Sequence, residues 1–243
     1  MFGQNPIRPL EQHRAGDQLR VQEIFYTLQG EGPYTGVPCV FIRLAGCNLR
    51  CHFCDTQFDS GYDNQLSLAH IIKAVDFEVG SDAHFKRKLV VISGGEPMIQ
   101  NILPLIQTLL ATGTKVVQIE TAGTTWVEGL EEYIDNGKVV LVCSPKTPKV
   151  HPKIAQYCVQ WKYVVEHSRV SLHDGLPSYS TQTNGSAAQV YRPVTTPVTT
   201  IWVSPCDAHE PEKNIQNLVT ARDSALQFGY RLNLQVHKIV KVA

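Results

Sequence analysis

Short, nearly continuous apolar runs alternate along this chain with stretches in which apolar residues recur every three or four positions. Residues 38–45 read Pro-Cys-Val-Phe-Ile-Arg-Leu-Ala, apolar throughout except for Arg43, as a strand covered on both faces should be. Runs of the same kind return at 88–93, 115–120, 139–143, 161–166 and 199–203. Between them, Leu68, Ile71, Ile72, Val75 and Val79 keep helical spacing behind Ser67 as a cap, which predicts a helix over 66–79. A second helix is expected at about 100–112, with Pro104 in its first turn and Gly113 ending it, and a short one near 125–135. A third long one opens at Pro211 and stops at Gly229, with Ile215, Leu218, Val219, Arg222 and Leu226 on one face, read as its core face. Residues 230–236 read as a last strand and 21–28 as an extended entry segment. Residues 1–20, polar and without period, read as a loose tail. Residues 168–198, rich in Ser, Thr, Gly and Pro, read as an irregular insertion: a lid, a dimer contact or a partner site.

Strand–helix alternation of this kind is the pattern of an α/β fold, parallel strands joined by crossover helices. About six βα units are too few for a closed eightfold barrel. The expectation is therefore one domain over 21–243, an incomplete, open TIM-type barrel. Its open side would leave room for a large cofactor and a substrate together. The 243 residues are 43% hydrophobic, enough for a sizeable core, and carry no formal net charge, which argues against a broad nucleic-acid-binding face. The first residues are polar rather than a secretory signal, and no run nears the roughly eighteen apolar residues of a membrane helix. An intracellular, reducing location follows, cytoplasmic and without membrane attachment, in which the seven cysteines would serve metals rather than disulfides.

Three of those cysteines, Cys47, Cys51 and Cys54, stand at C-x₃-C-x₂-C spacing just after the 38–45 run. Three thiolates on one short loop can turn onto a single soft metal centre. A four-iron cluster held by three cysteines keeps one iron open to a further ligand, whereas a closed zinc site needs four protein ligands, here Cys47, Cys51, Cys54 and either His52 or Cys39. The strand ends carry more polar chemistry. Gln29-Gly-Glu-Gly32 is a glycine loop whose simplest reading is a turn, though Gly30 would also admit a ligand close to the backbone, with Gln29 and Glu31 beside it. Arg43 needs an anion, either a carboxylate of the fold or one of a substrate. Gly94-Gly95-Glu96-Pro97, Glu120-Thr-Ala-Gly123, Ser144-Pro145-Lys146 and Ser204-Pro-Cys-Asp207 each follow a strand, where open α/β folds bind ligands.

The cysteine loop together with Gly-Gly-Glu-Pro resembles the radical S-adenosylmethionine (SAM) superfamily. Leu28-Gln-Gly-Glu-Gly32, Phe41-Ile-Arg-Leu-Ala-Gly-Cys-Asn-Leu49, Cys54-Asp-Thr56, Ile119-Glu-Thr-Ala-Gly123, Val142-Cys-Ser-Pro-Lys146 and Leu234-Gln-Val-His-Lys238 narrow the resemblance to the 7-carboxy-7-deazaguanine synthase (QueE) family. It covers most of 21–167 and 199–243. The resemblance implies a carbon–nitrogen lyase that converts 6-carboxy-5,6,7,8-tetrahydropterin to 7-carboxy-7-deazaguanine with release of ammonia, a step toward queuosine. A 5′-deoxyadenosyl radical, made when the reduced cluster splits SAM, would take hydrogen from C6 of the pterin before ring contraction, and SAM would be regenerated.

Carried over by position, the resemblance implies Cys47, Cys51 and Cys54 as ligands of a [4Fe–4S] cluster and Thr56 as a ligand of Mg²⁺. Leu28, Gln29, Gly30, Glu31, Arg43, Ser93 (usually threonine in the family), Glu120, His237 and the terminal carboxylate of Ala243 would hold the substrate. Among these, Arg43, Glu120 and His237 would be catalytic, which decides the Arg43 alternative in favour of substrate. Phe53, Cys54, Asp55, Gly95, Glu96, Ser144, Pro145, Lys146 and Ser204 would hold SAM, although Ser204-Pro-Cys replaces the family's usual Gln-Pro. The resemblance also implies an electron donor of flavodoxin or ferredoxin type and a homodimer. Two other readings differ in class: an activase acting on a protein glycyl residue, which should lack Arg43 and the Leu-Gln-Gly-Glu-Gly set, and a non-catalytic zinc-binding module.

Overall fold

The computed structural model describes residues 5–54, 56–80, 88–182 and 188–242. The apolar runs become the strands of one nine-stranded sheet. β1 (Gln18–Leu28), β2 (Pro38–Leu44), β3 (Gln65–Ser67), β4 (Leu89–Gly94), β5 (Val116–Thr121), β6 (Val139–Cys143), β7 (Gln160–Val165), β8 (Thr200–Pro205) and β9 (Arg231–Leu232) lie in the order β3-β1-β2-β4-β5-β6-β7-β8-β9. β2 and β4–β9 are parallel neighbours, and β1 runs antiparallel to both β2 and β3. The sheet does not close on itself, so β3 and β9 remain its edges. An open, partial TIM-type barrel is therefore the architecture, as the strand–helix alternation anticipated.

The crossover helices follow local signals. α1 (Leu68–Val79) starts at Ser67, whose Oγ accepts from the His70 N–H, and stops at Gly80 with φ of 63°. α2 (Leu103–Ala111) carries Pro104 in its first turn, where the missing N–H leaves no bond unmade. α3 (Leu130–Asp135) and α4 (Pro152–Tyr157) are short, α5 (Pro211–Phe228) ends at the left-handed Gly229, and α6 (Val236–Val240) closes the chain. The helix expected near 125–135 forms only from Leu130 onward, and α4 has no anticipating pattern because six residues span too little for a period to register. None of the helices among the described residues is long and apolar enough to cross a membrane.

Period-two alternation divides the sheet into two faces. Val40, Ile42 and Leu44 of β2, Val90 and Ile92 of β4, Val117 and Ile119 of β5 and Trp161, Tyr163 and Val165 of β7 meet the helices in the main core. The opposite, concave face carries a small apolar plug of Cys39, Leu89 and Val91, with Phe41, Tyr34 and Val116 against it. Above that plug the same face turns polar, with Arg43, Ser93 and Glu120 on it.

Three expectations need correction. Residues 5–20 are not loose. Arg8 forms a bidentate pair with Asp59 at 2.8 and 2.9 Å, Glu11 is buried against Arg20 and Tyr62, and residues 18–20 already belong to β1. These contacts are long-range and polar, so no local period betrays them. On α5 the buried residues are Asn217, Ala221, Ser224 and Ala225, while Ile215, Leu218, Val219 and Leu226 face outward. Small residues are selected because the chain at Gly175 packs directly on the helix, with Ser224 Oγ donating to the Gly175 carbonyl at 2.6 Å. The last strand is only Arg231–Leu232; residues 236–240 wind into α6, so that His237 points inward beside β1.

The 168–198 segment takes the place of a crossover helix between β7 and β8. Arg192 clasps Asp174 at 2.7 and 3.2 Å, and the Tyr163 hydroxyl donates to the Tyr191 carbonyl at 2.8 Å, so the parts of this stretch around residues 174 and 190–192 are packed onto the barrel. The opening segment yields a prediction. Gln12 Nε2 lies 2.6 Å from the carbonyls of both Met98 and Trp126. Gln12→Ala removes these bonds and should lower stability by about 1–2 kcal/mol. A urea midpoint equal to that of the parent chain would show that the opening segment adds nothing to the fold.

Candidate active site

Seven strand positions on the concave face, Arg43, Ser93, Glu120, Val142, Lys162, Val164 and Ser204, line one cavity of about 670 Å³. Parallel register sets Arg43 beside Ser93 and Val164 beside Ser204. That volume suits a small-molecule site, typically about 300–1,000 Å³. The loops after β1, β2 and β6 wall it, and α6 closes one side through His237.

At one end lie the cysteines. Cys47, Cys51 and Cys54 all line the cavity. Cys47 is only 6% exposed, and burial, aided by the Glu96 charge, pushes its free thiol well up. Metal ligation would hold such a thiol deprotonated. Among the described residues no three His, Cys, Asp or Glu side chains converge closely enough to hold a single ion. His52 is otherwise engaged: Nδ1 meets the Thr181 carbonyl and Nε2 the Glu166 carboxylate, each at 2.9 Å. Cys39 sits in the apolar plug. A multi-iron cluster, larger than one ion and content with three thiolates, fits this donor set.

The loop is held from below by glycine. A Cβ at Gly95 would lie 2.3 Å from the Gly46 carbonyl oxygen and 2.6 Å from Cys47 Cβ, so only glycine lets the β4 turn press against the cysteine loop. Phe53, Gly95, Ser144, Lys146 and Ser204 line the cavity around this end. Lys146 Nζ donates to the Ser144 carbonyl at 2.8 Å and to its hydroxyl, and burial holds its ammonium below the ordinary lysine range. Two residues assigned to SAM do not reach the cavity. The Glu96 carboxylate is fully buried and accepts from Thr121 Oγ1 at 2.8 and 2.9 Å, Ala122 N–H at 2.7 Å and Met98 N–H at 3.1 Å. Burial outweighs these donors and raises its affinity for a proton. Pro145 is also buried, and it is absent from the cavity lining. Both turn inward because the strand-end turns must satisfy and pack one another. Thr56 lines the cavity, whereas Asp55 and Ala243 lie outside the described residues.

The other end is a polar relay. Gln29 is almost fully buried; its Nε2 donates to Glu120 at 2.9 Å and its Oε1 accepts from the Glu31 N–H at 3.2 Å. Gln118 Nε2 at 3.2 Å and Ser93 Oγ at 3.4 Å complete the donors around the Glu120 carboxylate. Arg43 faces Glu23 of β1 in register and forms an ion pair with it, its guanidinium 5.6 and 5.7 Å from the Phe25 and Phe41 rings. Its side chain is 28% exposed, so an anion in the cavity can still reach it. Leu28 lines the wall beside Gln29. Gly30 is glycine because a Cβ there would fall 1.9 Å from His237 Nδ1. Burial pushes the His237 imidazole below its ordinary value, which keeps it neutral near pH 7.

Glu31 is buried and pairs with Lys162, while Gln235 Nε2 donates to it at 3.2 Å. Sequence reading passed over Lys162 and Gln235. A lysine inside the buried strand 161–166 carries the same signal that drew attention to Arg43, a charge where the pattern demands apolar residues. Gln235 carries no such mark, since it falls within the 230–236 run that reads as the last strand.

A profile of the radical SAM superfamily matches residues 41–168. The 7-carboxy-7-deazaguanine synthase of Rhodospirillum rubrum is 43% identical over 248 residues, covering 100% of both chains. That of Rickettsia prowazekii is 36% identical and covers 100% of this chain and 96% of its own length. Among solved structures, the QueE crystal structure from Escherichia coli superimposes with a TM-score of 0.61 at 24% identity, over 90% of this chain and 94% of that one, a likeness of fold.

The buried pair makes two checkable statements. Lys162→Met strands Glu31 and should cost about 3–5 kcal/mol, whereas Glu31→Gln with Lys162→Met should recover most of that. Denaturant unfolding at pH 7 tests this; equal losses in single and double variants would mean the two groups are not coupled. Burial alone would raise the Glu31 carboxyl, but Lys162 and Gln235 hold it below its ordinary 4.5. A carboxylate depressed in the folded state stabilises above its unfolded value and loses that contribution as pH falls through the folded one. The stability gap between the parent chain and Glu31→Gln should therefore narrow as pH falls from 5 toward 2. A constant gap would refute the assignment.

Proposed function

The chain belongs to the 7-carboxy-7-deazaguanine synthase family of the radical SAM superfamily, and on that premise we propose how its own cavity carries out the reaction. The overall conversion is 6-carboxy-5,6,7,8-tetrahydropterin to 7-carboxy-7-deazaguanine and ammonia, in 7-deazapurine biosynthesis. The single observation that carries the reading is one cavity lined at one end by Cys47, Cys51 and Cys54 and at the other by Arg43, Gln29, Glu120 and His237. When bound, the [4Fe–4S] cluster and SAM supply the electron and the organic radical that the ring contraction needs.

Everything else is done by the chain. Cys47, Cys51 and Cys54 hold the cluster, and Gly95, Phe53, Ser144, Lys146 and Ser204 receive SAM beside it. Arg43, with Ser93 next to it, takes the pterin carboxylate, sharing or displacing Glu23. Glu120, oriented by Gln29 and Gln118, accepts hydrogen bonds from the N–H groups on the heterocycle's edge. Neutral His237, packed on Gly30, offers one ring nitrogen as donor or acceptor there. Thr56, which lines the cavity, would hold Mg²⁺ through its hydroxyl oxygen. Leu28 and the Glu31–Lys162 pair keep the entry loop in place, and the apolar plug beneath excludes water. The reductant is a flavodoxin or ferredoxin, the assembly is a homodimer, and a reducing cytoplasm keeps the three thiols available.

Anaerobic reconstitution followed by dithionite, SAM, Mg²⁺ and the carboxypterin should yield the deazapurine by mass and absorbance. A protein with an intact cluster that forms none of it would refute the reading. Arg43→Met should raise KM about tenfold or more with a smaller change in kcat, because a charge-assisted hydrogen bond to a carboxylate is worth about 1.5–3 kcal/mol. An unchanged KM would remove Arg43 from the substrate site.

A further inference from the structure

The segment that replaces the β7–β8 crossover doubles back over the cysteine loop. Residues 180–182 are pinned on two sides. Ser180 Oγ and Thr181 N–H both donate to the Lys146 carbonyl, at 2.9 and 3.1 Å. His52 N–H donates to the Thr181 carbonyl at 3.0 Å, and Arg50 N–H donates to Gln182 Oε1 at 2.9 Å. Gln182 and Cys51 also form an isolated antiparallel bridge.

Held in this way, two side-chain donors meet one sulfur. Thr181 Oγ1 lies 3.1 Å and Gln182 Nε2 3.4 Å from Cys51 Sγ. Each has an alternative acceptor: the Lys146 carbonyl is 3.4 Å from Thr181 Oγ1, and Thr181 Oγ1 is 3.3 Å from Gln182 Nε2. A metal-bound thiolate is anionic and draws a donor more strongly than a neutral oxygen does. With Cys51 as a ligand, both hydrogens therefore go to sulfur.

We propose that Thr181 and Gln182 are positioning residues of the iron–sulfur centre, raising its reduction potential through hydrogen bonds to the Cys51 sulfur. The inference rests on the three-cysteine reading of the site. Reduction adds negative charge to the centre, part of it on the ligand sulfurs, so a donor aimed at a sulfur stabilises the reduced state more than the oxidised one. The insertion between β7 and β8 thereby becomes part of the electron-accepting machinery.

The test is a potentiometric titration of the anaerobically loaded protein, followed by the electron paramagnetic resonance signal of the reduced cluster. Thr181→Val with Gln182→Leu should lower the reduced-to-oxidised ratio about tenfold at the parent midpoint, which is about 59 mV for one electron. Thr181→Val and Gln182→Leu alone should each move the midpoint the same way by less, and Thr181→Ser should keep the parent value because it keeps the hydroxyl. A parent midpoint in the double variant overturns the proposal. So does a Thr181→Ser shift as large as that of Thr181→Val, which would trace the effect to packing. If the double variant fails to take up iron, the single variants decide. Iron and sulfide analysis of the parent protein is read first: no cluster there refutes the site reading itself, whereas a cluster with an unmoved potential refutes only this inference.

Discussion

The close approach of the β4 turn to the cysteine loop is the contact on which the site depends. Gly94 and Gly95 lack the side chains that would strike the Leu44 and Gly46 carbonyls, so the turn lies flat against the loop and the Glu96 N–H donates to the Gly46 carbonyl at 3.1 Å. Glu96 then reaches sideways to Thr121 and Ala122 at the end of β5. Three strand ends are tied into one rim by backbone contact and a buried carboxylate. The cysteines ride on that rim, and their position relative to Ser93 and Glu120 follows from the parallel register of β2, β4 and β5. A site that must aim a reactive species at one atom of a substrate needs this kind of rigidity.

The polar half of the cavity is built on a different compromise. Glu31 and Lys162 are both withdrawn from water on a face that alternation would otherwise fill with aliphatic side chains. Such a pair adds little net stability over an apolar replacement, but breaking it is costly. What it secures is placement: Glu31 follows the residue whose missing Cβ admits His237, and Gln235 ties the same carboxylate to the base of α6. Gln29, one residue further back, carries the order on to Glu120. The loop after β1 and the far end of the chain thus form one unit, although more than two hundred residues separate Glu31 from Gln235.

Legibility from sequence varied with how local the cause was. The strand runs, the caps at Ser67 and Gly229 and the strand-end turns are short-range signals, and the open parallel barrel follows from them. Arg43 stands out because a charge in a buried strand contradicts its surroundings, whereas Ser93 and Glu120 enter the site reading by their place in the family resemblance. Glu96, whose carboxylate is fully buried, is the instructive case. A carboxylate in a glycine turn at a strand end looks like a ligand contact, yet its partners are the Thr121 hydroxyl at the end of β5, the Ala122 N–H just after it and the Met98 N–H of its own turn. The outward Ile215 and Leu226 of α5 misled for the converse reason, since periodicity identifies a face but not what packs on it.

By itself, the order of residues determined the fold class, the three-thiol loop and most of the polar strand tips, since each depends on neighbours a few positions apart. Tertiary structure alone decided that residues 5–20 brace the rim, that Lys162 and Gln235 belong to the cavity and that Thr181 and Gln182 reach the Cys51 sulfur. Those pairings join positions scores of residues apart through single hydrogen bonds or ion pairs. Contacts of that kind leave no period and no spacing along the chain; they exist only once the sheet has set its register and brought the loops to one end.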